Sequence, residues 1–453
     1  MLIKNANIIT WNENNDILFG HALYISNSII ADIGPLKELE EKYPFEREII
    51  DLNGKYVMPG NICAHTHFYS AFSRGMAIGG KPPKKFTDIL KQLWWPLDKS
   101  LDLDGVRASA QVSITEAIRY GTTTLIDHHA SQNAIEGSLF TMAEVVEESG
   151  VRAALCYEVT DRDGLEKAKL GIKENTTFIN TILHKTDEKN RITALFGLHA
   201  SLTLSDETLK MCKQALTEEV GFHIHLAEAE ADQDDSLKKY GMRVTERLYR
   251  HGILGSNTVA VHGVHLDEME MDLLAETKTW VTHQPRSNMN NAVGLPDVER
   301  MLEKGIPVCL GNDGFSNAMW EEWKTAYLAH KLINKSPTAM NGNMIIELAI
   351  KNNRKLVYKL FNGLQVGEIV KGSMADLIVV DYHPPTPLTG GNLPWHIIFG
   401  FNEQMITSTI VNGKFLMKDR ELITMDEEKI MCEALKLSAA TWKRYQQRFE
   451  VIN

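Results

Sequence analysis

The sequence predicts an α/β protein in which a (β/α)8 TIM barrel carries a small discontinuous β-sandwich domain formed by both termini. Three observations predict it. Eight apolar, strand-like runs alternate with helical patterns through the middle of the chain, the signature of parallel βα units. Seven of those eight runs end on, or within one residue of, a His or Asp, which a barrel built only for stability does not need. Short alternating runs gather near both ends of the chain, and neither end has enough apolar residues for a core of its own.

Taken in order, Leu2–Ile9, Ala22–Ile25, Ser28–Gly34 and Glu48–Gly54 read as strands joined by tight turns. Their complement is Ala375–Asp381 and Ile406–Leu416. Residues 1–56 are therefore expected to be the N-terminal part of the β-sandwich, 57–362 the barrel, and 363–453 the C-terminal part of the sandwich plus a C-terminal helix. The expected barrel strands are Val57–His67, Thr122–His128, Arg152–Glu158, Thr193–His199, Gly221–His225, Thr258–His262, Thr279–His283 and Pro307–Asp313. Helical patterns such as Arg243–Leu248, with apolar residues four apart, separate them. The long stretch Phe68–Leu103 contains Gly79-Gly80-Lys81-Pro82-Pro83 and Trp94-Trp95-Pro96. It reads either as a lid or as a loop whose tryptophans pack it down or meet another subunit. Thr424-Met425-Asp426-Glu427 predicts a capping box opening a helix through Leu435, Leu437 and Trp442 that packs on the outside.

The chain has 453 residues, past the roughly 250–300 at which one hydrophobic core stops growing, so two units are expected. A net charge of −11 argues against a nucleic-acid partner, which needs a basic face, and leaves small molecules as the expected partners. Five cysteines without a C-x-x-C pair fit reduced, cytosolic thiols, with Cys63, Cys156 and Cys309 as small buried hydrophobes. The start, Met1-Leu2-Ile3-Lys4, lacks a secretory pattern, and no run approaches about 18 apolar residues, so the expected location is cytoplasmic with no membrane span.

The chemistry is expected at the strand ends. His65 and His67 are two apart on a strand, share a face and converge on one point, which suits a metal ion. In Gly221–Glu228, His225 faces the barrel axis as a ligand while His223, deeper on the same face, is a hydrogen-bonded structural histidine. Glu228 reads as a proton shuttle or as a solvated loop carboxylate, the reading given to Glu230, Asp232, Asp234 and Asp235. His262 ends an apolar run and faces the substrate, with His265 nearer the surface. Asp313 follows an apolar strand between two glycines, a costly place to bury a carboxylate unless it binds a metal or a proton donor.

His65-x-His67, His225, His262 and Asp313, on strands one, five, six and eight, resemble the amidohydrolase superfamily in its cytosine/guanine-deaminase and triazine-hydrolase branch. The resemblance covers nearly the whole chain, including His283-Gln284-Pro285-Arg286-Ser287-Asn288 and the return through Ala375-Asp376-Leu377. Asp127-His128-His129-Ala130 and Ser287–Ala292 most resemble the SsnA group of aminohydrolases. The resemblance implies one divalent metal per chain, zinc with Fe(II), Mn or Co as alternatives, on His65, His67, His225 and Asp313. Strand four ends Gly197-Leu198-His199 without the lysine of binuclear members, which implies a mononuclear site; Asn312 stands where relatives carry Thr. The implied activity is hydrolysis of carbon–nitrogen bonds, deaminating a purine- or pyrimidine-like heterocycle. Asp313 takes the proton of water activated by the metal, Glu228 protonates a ring nitrogen and then the leaving amine, and His262 stabilises the developing oxyanion. A chlorohydrolase, a cyclic amidohydrolase and a non-catalytic accessory protein are the alternatives. His128, His129, His199, Trp94, Arg286 and Asn288 are candidates for substrate binding or for structural support. The implied partners are a heterocyclic substrate, water and further copies of the chain.

Overall fold

The structure is a computed structural model that describes residues 1–184, 191–216 and 220–450. The N-terminal segment forms β1 (Leu2–Ile9), β2 (Ile17–Ser26), β3 (Ile29–Pro35), β4 (Ile49–Asp51) and β5 (Tyr56–Pro59). The barrel strands follow as β6 (Asn61–Thr66), β7 (Thr122–Asp127), β8 (Arg152–Leu155), β9 (Ile192–Ala194), β10 (Phe196–Ala200), β11 (Phe222–Leu226), β12 (Val259–His262), β13 (Trp280–His283) and β14 (Val308–Leu310). The chain then returns through β15 (Leu377–Val380), β16 (Ile406–Val411), β17 (Lys414–Lys418) and β18 (Glu421–Leu422).

The barrel closes at two seams. Its hydrogen-bonded ladders are β6-β7-β8-β9 and β10-β11-β12-β13-β14, all parallel. A parallel bridge between Val159 and Leu198 joins them on one side, with Leu195 N–H donating to Leu155 O. A second bridge, Thr66 with Asp313, joins them on the other, reinforced by Asn312 and Asp313 N–H donating to His65 O. β9 and β10 are one barrel strand interrupted at Leu195, so eight strands surround the axis. Inside, Ile62, Ala64, Ile126, Ala154, Cys156, Val259 and Cys309 form one apolar cluster. Leu356 and Val357, from the helix Asn353–Leu360, cover its N-terminal end. The polar strand ends are therefore left to the opposite, C-terminal mouth.

The first predicted barrel strand is two strands. β5 pairs with β1 and β15 in the terminal sheet, and Gly60 hands the chain over to β6, so the change of partner lies a few residues beyond 56. The terminal strands bond into one nine-stranded sheet in the order β18-β17-β16-β15-β5-β1-β2-β3, with β4 beside β1. Ile3, Ile8, Leu23 and Ile30 from its N-terminal half pack with Leu377, Val379 and Ile410 from its C-terminal half, so one sheet bends over a shared core. Arg152, at the start of β8, ties sheet to barrel through Asp376 (2.9 Å) and Asn412 (2.7 Å). Among the described residues no helix is long and apolar enough to cross a membrane.

Candidate active site

The donor atoms of His65, His67, His225 and Asp313 lie within 4.8 Å of one another at the barrel mouth. The register of β6 against β7 shifts between Cys63 and Thr66. Cys63 packs in the outer layer and Ala64 inside the barrel, so the irregularity turns His65 inward directly after Ala64, as a bulge does. The remote ring nitrogens are all engaged. His67 Nδ1 donates to His128 O, His225 Nδ1 to His199 O (2.9 Å), and His65 Nδ1 pairs with His223 Nε2 (2.9 Å). The two carbonyl bonds leave Nε2 of His67 and His225 facing inward, and His65 turns its Nε2 inward by pairing Nδ1 with His223. His67 Nε2 lies 2.9 Å and His65 Nε2 3.4 Å from Asp313 Oδ1, while His65 Nε2 is buried with no hydrogen-bond partner.

Electrostatics favour a cation here. Burial keeps His225 well below its ordinary range and takes His65 down to about 3, so both rings are neutral donors. Burial would also lower His67, but the hydrogen bond and charge of Asp313 outweigh it and push the ring up to about 9. Burial opposes the charge on Asp313, yet the facing rings of His65 and His67 hold the carboxyl well below the usual range. Three imidazole nitrogens and one ionised carboxylate form a donor set that fits a divalent metal, and a metal there would satisfy the orphaned His65 Nε2.

Beside this cage stands a second group. Glu228 Oε2 lies 3.4 Å from His262 Nε2. Burial and then the charge of Asp313 raise the Glu228 carboxyl well above its ordinary range, partly opposed by Asn291. The short helix Pro285–Asn290 and the residue after it touch Asp313, His262 and Glu228. Ser287 Oγ donates to Asp313 Oδ2, Asn288 Oδ1 accepts from His262 Nδ1 at 2.8 Å, and Asn291 Nδ2 donates to Glu228 Oε1 at 3.3 Å. Ala227, His262 and Asp313 hold positive φ angles of 45°, 75° and 58°. Non-glycine residues rarely tolerate that region, and strain of this kind concentrates at functional sites.

The sequence profile of the Amidohydrolase family matches residues 56–416. The chain belongs to the amidohydrolase family. It is 31% identical over 442 residues to the 5'-deoxyadenosine deaminase of Methanosarcina mazei, covering 96% of this chain and 97% of that one. It is 30% identical to the 5-methylthioadenosine/S-adenosylhomocysteine deaminase of Syntrophobacter fumaroxidans, covering 98% of both. In fold it is similar to a zinc-bound adenosine deaminase of Xanthomonas campestris (TM-score 0.83, 22% identity, 97% of this chain and 98% of that one). It is also similar to the zinc-bound atrazine chlorohydrolase TrzN of Arthrobacter aurescens (TM-score 0.80, 18% identity, 96% and 99%). This amidohydrolase is an aminohydrolase, a hydrolase of carbon–nitrogen bonds other than peptide bonds.

The amidohydrolase cavity is floored by His67, His225, Glu228, His262 and Asp313 and walled by Tyr69, Phe86, Leu90, Trp94 and Trp95. Asp98, Glu158, His199 and Asn291 add polar edges. Of the six expected substrate contacts, Trp94 and His199 line this cavity. The other four are engaged elsewhere. His128 Nε2 faces the Leu198 and His223 carbonyls (3.1 Å each), and His129 Nε2 meets Ser131 Oγ (2.9 Å). Arg286 pairs with Glu321 and Glu322, and Asn288 orients His262. Asn312 reaches Ser316 O and Asn317 Oδ1 rather than the metal carboxylate. Asp232 is a correction: it is buried, not solvated, because its oxygens accept from Leu202 and Ala227 N–H and pin the turn that carries Glu228. Asp98, Glu158, Ser287 and Asn291 escaped the sequence reading. The one signal available for Glu158 was its place at the end of the third strand, where it meets His128 (3.4 Å) and Arg162 (3.5 Å).

Proposed function

We propose that this enzyme hydrolyses the exocyclic amine of an adenine nucleoside, with one zinc ion per chain held by His65, His67, His225 and Asp313. The observation that carries the reading is the half-buried Glu228, whose Oε2 lies 3.4 Å from His262 Nε2 beside the metal cage and whose surroundings favour the protonated carboxyl. The names of the full-length deaminase relatives support the adenine nucleoside.

A bound divalent metal supplies Lewis acidity, lowering the pKa of water toward about 7. Asp313, kept ionised, accepts the water proton, with Ser287 fixing its orientation. Asn291 engages Glu228 Oε1, so the proton rides on Oε2 and passes from there to a ring nitrogen, making the amine-bearing carbon electrophilic. Asn288 holds the Nδ1 proton of His262, so Nε2 is an acceptor at rest and takes a hydrogen bond from the attacking hydroxyl. Once the carbon is tetrahedral, the water proton held by Asp313 passes through Glu228 to the amine, which leaves as ammonia, while the ring nitrogen keeps the proton it received; the hydroxyl proton, lost by way of His262 as the carbonyl forms, restores Glu228. At the far end of the cavity Asp98 Oδ1 is buried without a hydrogen-bond partner, an acceptor for a sugar hydroxyl, while the aromatic wall suits an apolar 5' substituent.

The test pairs elemental analysis of the purified enzyme with ammonia release from 5'-deoxyadenosine, 5'-methylthioadenosine, guanine and a chlorotriazine. About one zinc per chain with release from the nucleosides is the expected result. Chloride release from the triazine without ammonia from any nucleoside would replace this reading, and absence of metal after reconstitution would undo the cage.

A further inference from the structure

We propose that the C-terminal helix Glu427–Glu450 is a strap that holds the substrate wall of the cavity in place, with Tyr445 as its central positioning residue. The wall residues Phe86, Leu90, Trp94, Trp95 and Asp98 all lie on the segment between β6 and the helix Leu103–Arg119, which has only short helical pieces and an irregular stretch to hold its path. A long segment of this kind needs external tethers to keep one conformation.

The C-terminal helix supplies them, and they fall on backbone atoms. Trp442 Nε1 donates to Phe72 O (2.7 Å) at the start of the segment, and Arg448 Nη2 donates to Lys99 O (2.6 Å) at its end. Between these, the buried Tyr445 hydroxyl accepts from Gly79 N–H (2.9 Å) and donates to Gln92 O (2.5 Å). One oxygen thereby joins the irregular stretch to the π-helical turn Leu90–Trp94, which carries two of the wall residues. At Gly79 an added Cβ would come 2.6 Å from the Phe449 ring, so the backbone approaches the helix as closely as only glycine allows. Tethers to backbone fix where a chain runs, and Tyr445 touches no reacting group; its effect falls on substrate binding rather than on chemistry.

The test is Tyr445→Phe in the zinc-loaded full-length enzyme. It keeps the ring and orphans one N–H and one C=O. Amide exchange across residues 86–98 is expected to rise about tenfold and KM for 5'-deoxyadenosine about tenfold, with kcat and zinc content within about twofold of wild type. Ile430→Ala, on the same helix but away from the segment, controls for general destabilisation and should leave KM alone. If Tyr445→Phe fails to fold, Arg448→Met removes the Lys99 tether instead. Unchanged exchange across 86–98, raised exchange with unchanged KM, or an equal KM rise in Ile430→Ala would each overturn the strap. The kinetic arm rests on the nucleoside reading and the exchange arm does not. A wild-type enzyme inert toward nucleosides would therefore defeat that reading while exchange still judges the tethers.

Discussion

Glu228 is an ordinary glutamate made into an acid by its surroundings. Desolvation and the nearby Asp313 charge both penalise its ionised form, and the single opposing contact comes from Asn291. Glu228→Gln keeps the volume and the Asn291 contact but cannot donate a proton to a ring nitrogen. Fold and metal content should be retained while kcat falls at least about 10²-fold; near-normal kcat would remove Glu228 from the chemistry. The histidines of the cage were legible in the sequence because residues two apart on a strand share a face and each apolar run announces its own end, although the irregularity after Cys63 is what aims His65 inward. Asp232 was not. Its neighbours in sequence are exposed acids, and only the fold brings Leu202 and Ala227 N–H groups to its oxygens.

Elements place these residues through a few close approaches. At Gly311, where β14 passes β6, an added Cβ would lie 2.7 Å from His65 N and 2.8 Å from His65 O. Gly311→Ala should therefore force the seam apart, costing about 1–3 kcal/mol and lowering metal occupancy, since His65 and Asp313 meet across that seam. Full metal content with unchanged thermal stability would show that the seam tolerates the methyl group. The Ser287–Asn291 turn is a further element-level device, since one helical turn after β13 reaches Asp313, His262 and Glu228 together. At the C-terminal helix the sequence placed the cap on Thr424, but Asp426 accepts from Lys429 N–H while Thr424 donates to Ser149 O. Either residue type can cap; packing against the neighbouring helix end decides between them.

For the whole molecule the proposed metal would link site and stability, because the four residues that would hold it come from β6 and the residue after it, β11 and the end of β14. A ligand present at a thousandfold its Kd stabilises the native state by about 4 kcal/mol. Chelation should accordingly lower Tm by several degrees and zinc should restore it. A Tm indifferent to both would separate the cage from the fold's stability. The sequence by itself determined the fold class, pointed to a small β-sandwich domain built from both termini and put histidines and an aspartate at the strand ends, because apolar runs and a period of two are local properties written residue by residue; that the two termini bond into one sheet came from the structure. Tertiary structure alone decided that Gly60 divides the first strand, that Glu158, Asp98 and Asp232 are buried, and that the far end of the chain straps the cavity wall. Those outcomes depend on desolvation and on backbone partners distant in sequence, such as Gln92 and Tyr445, and no local pattern encodes which distant groups meet.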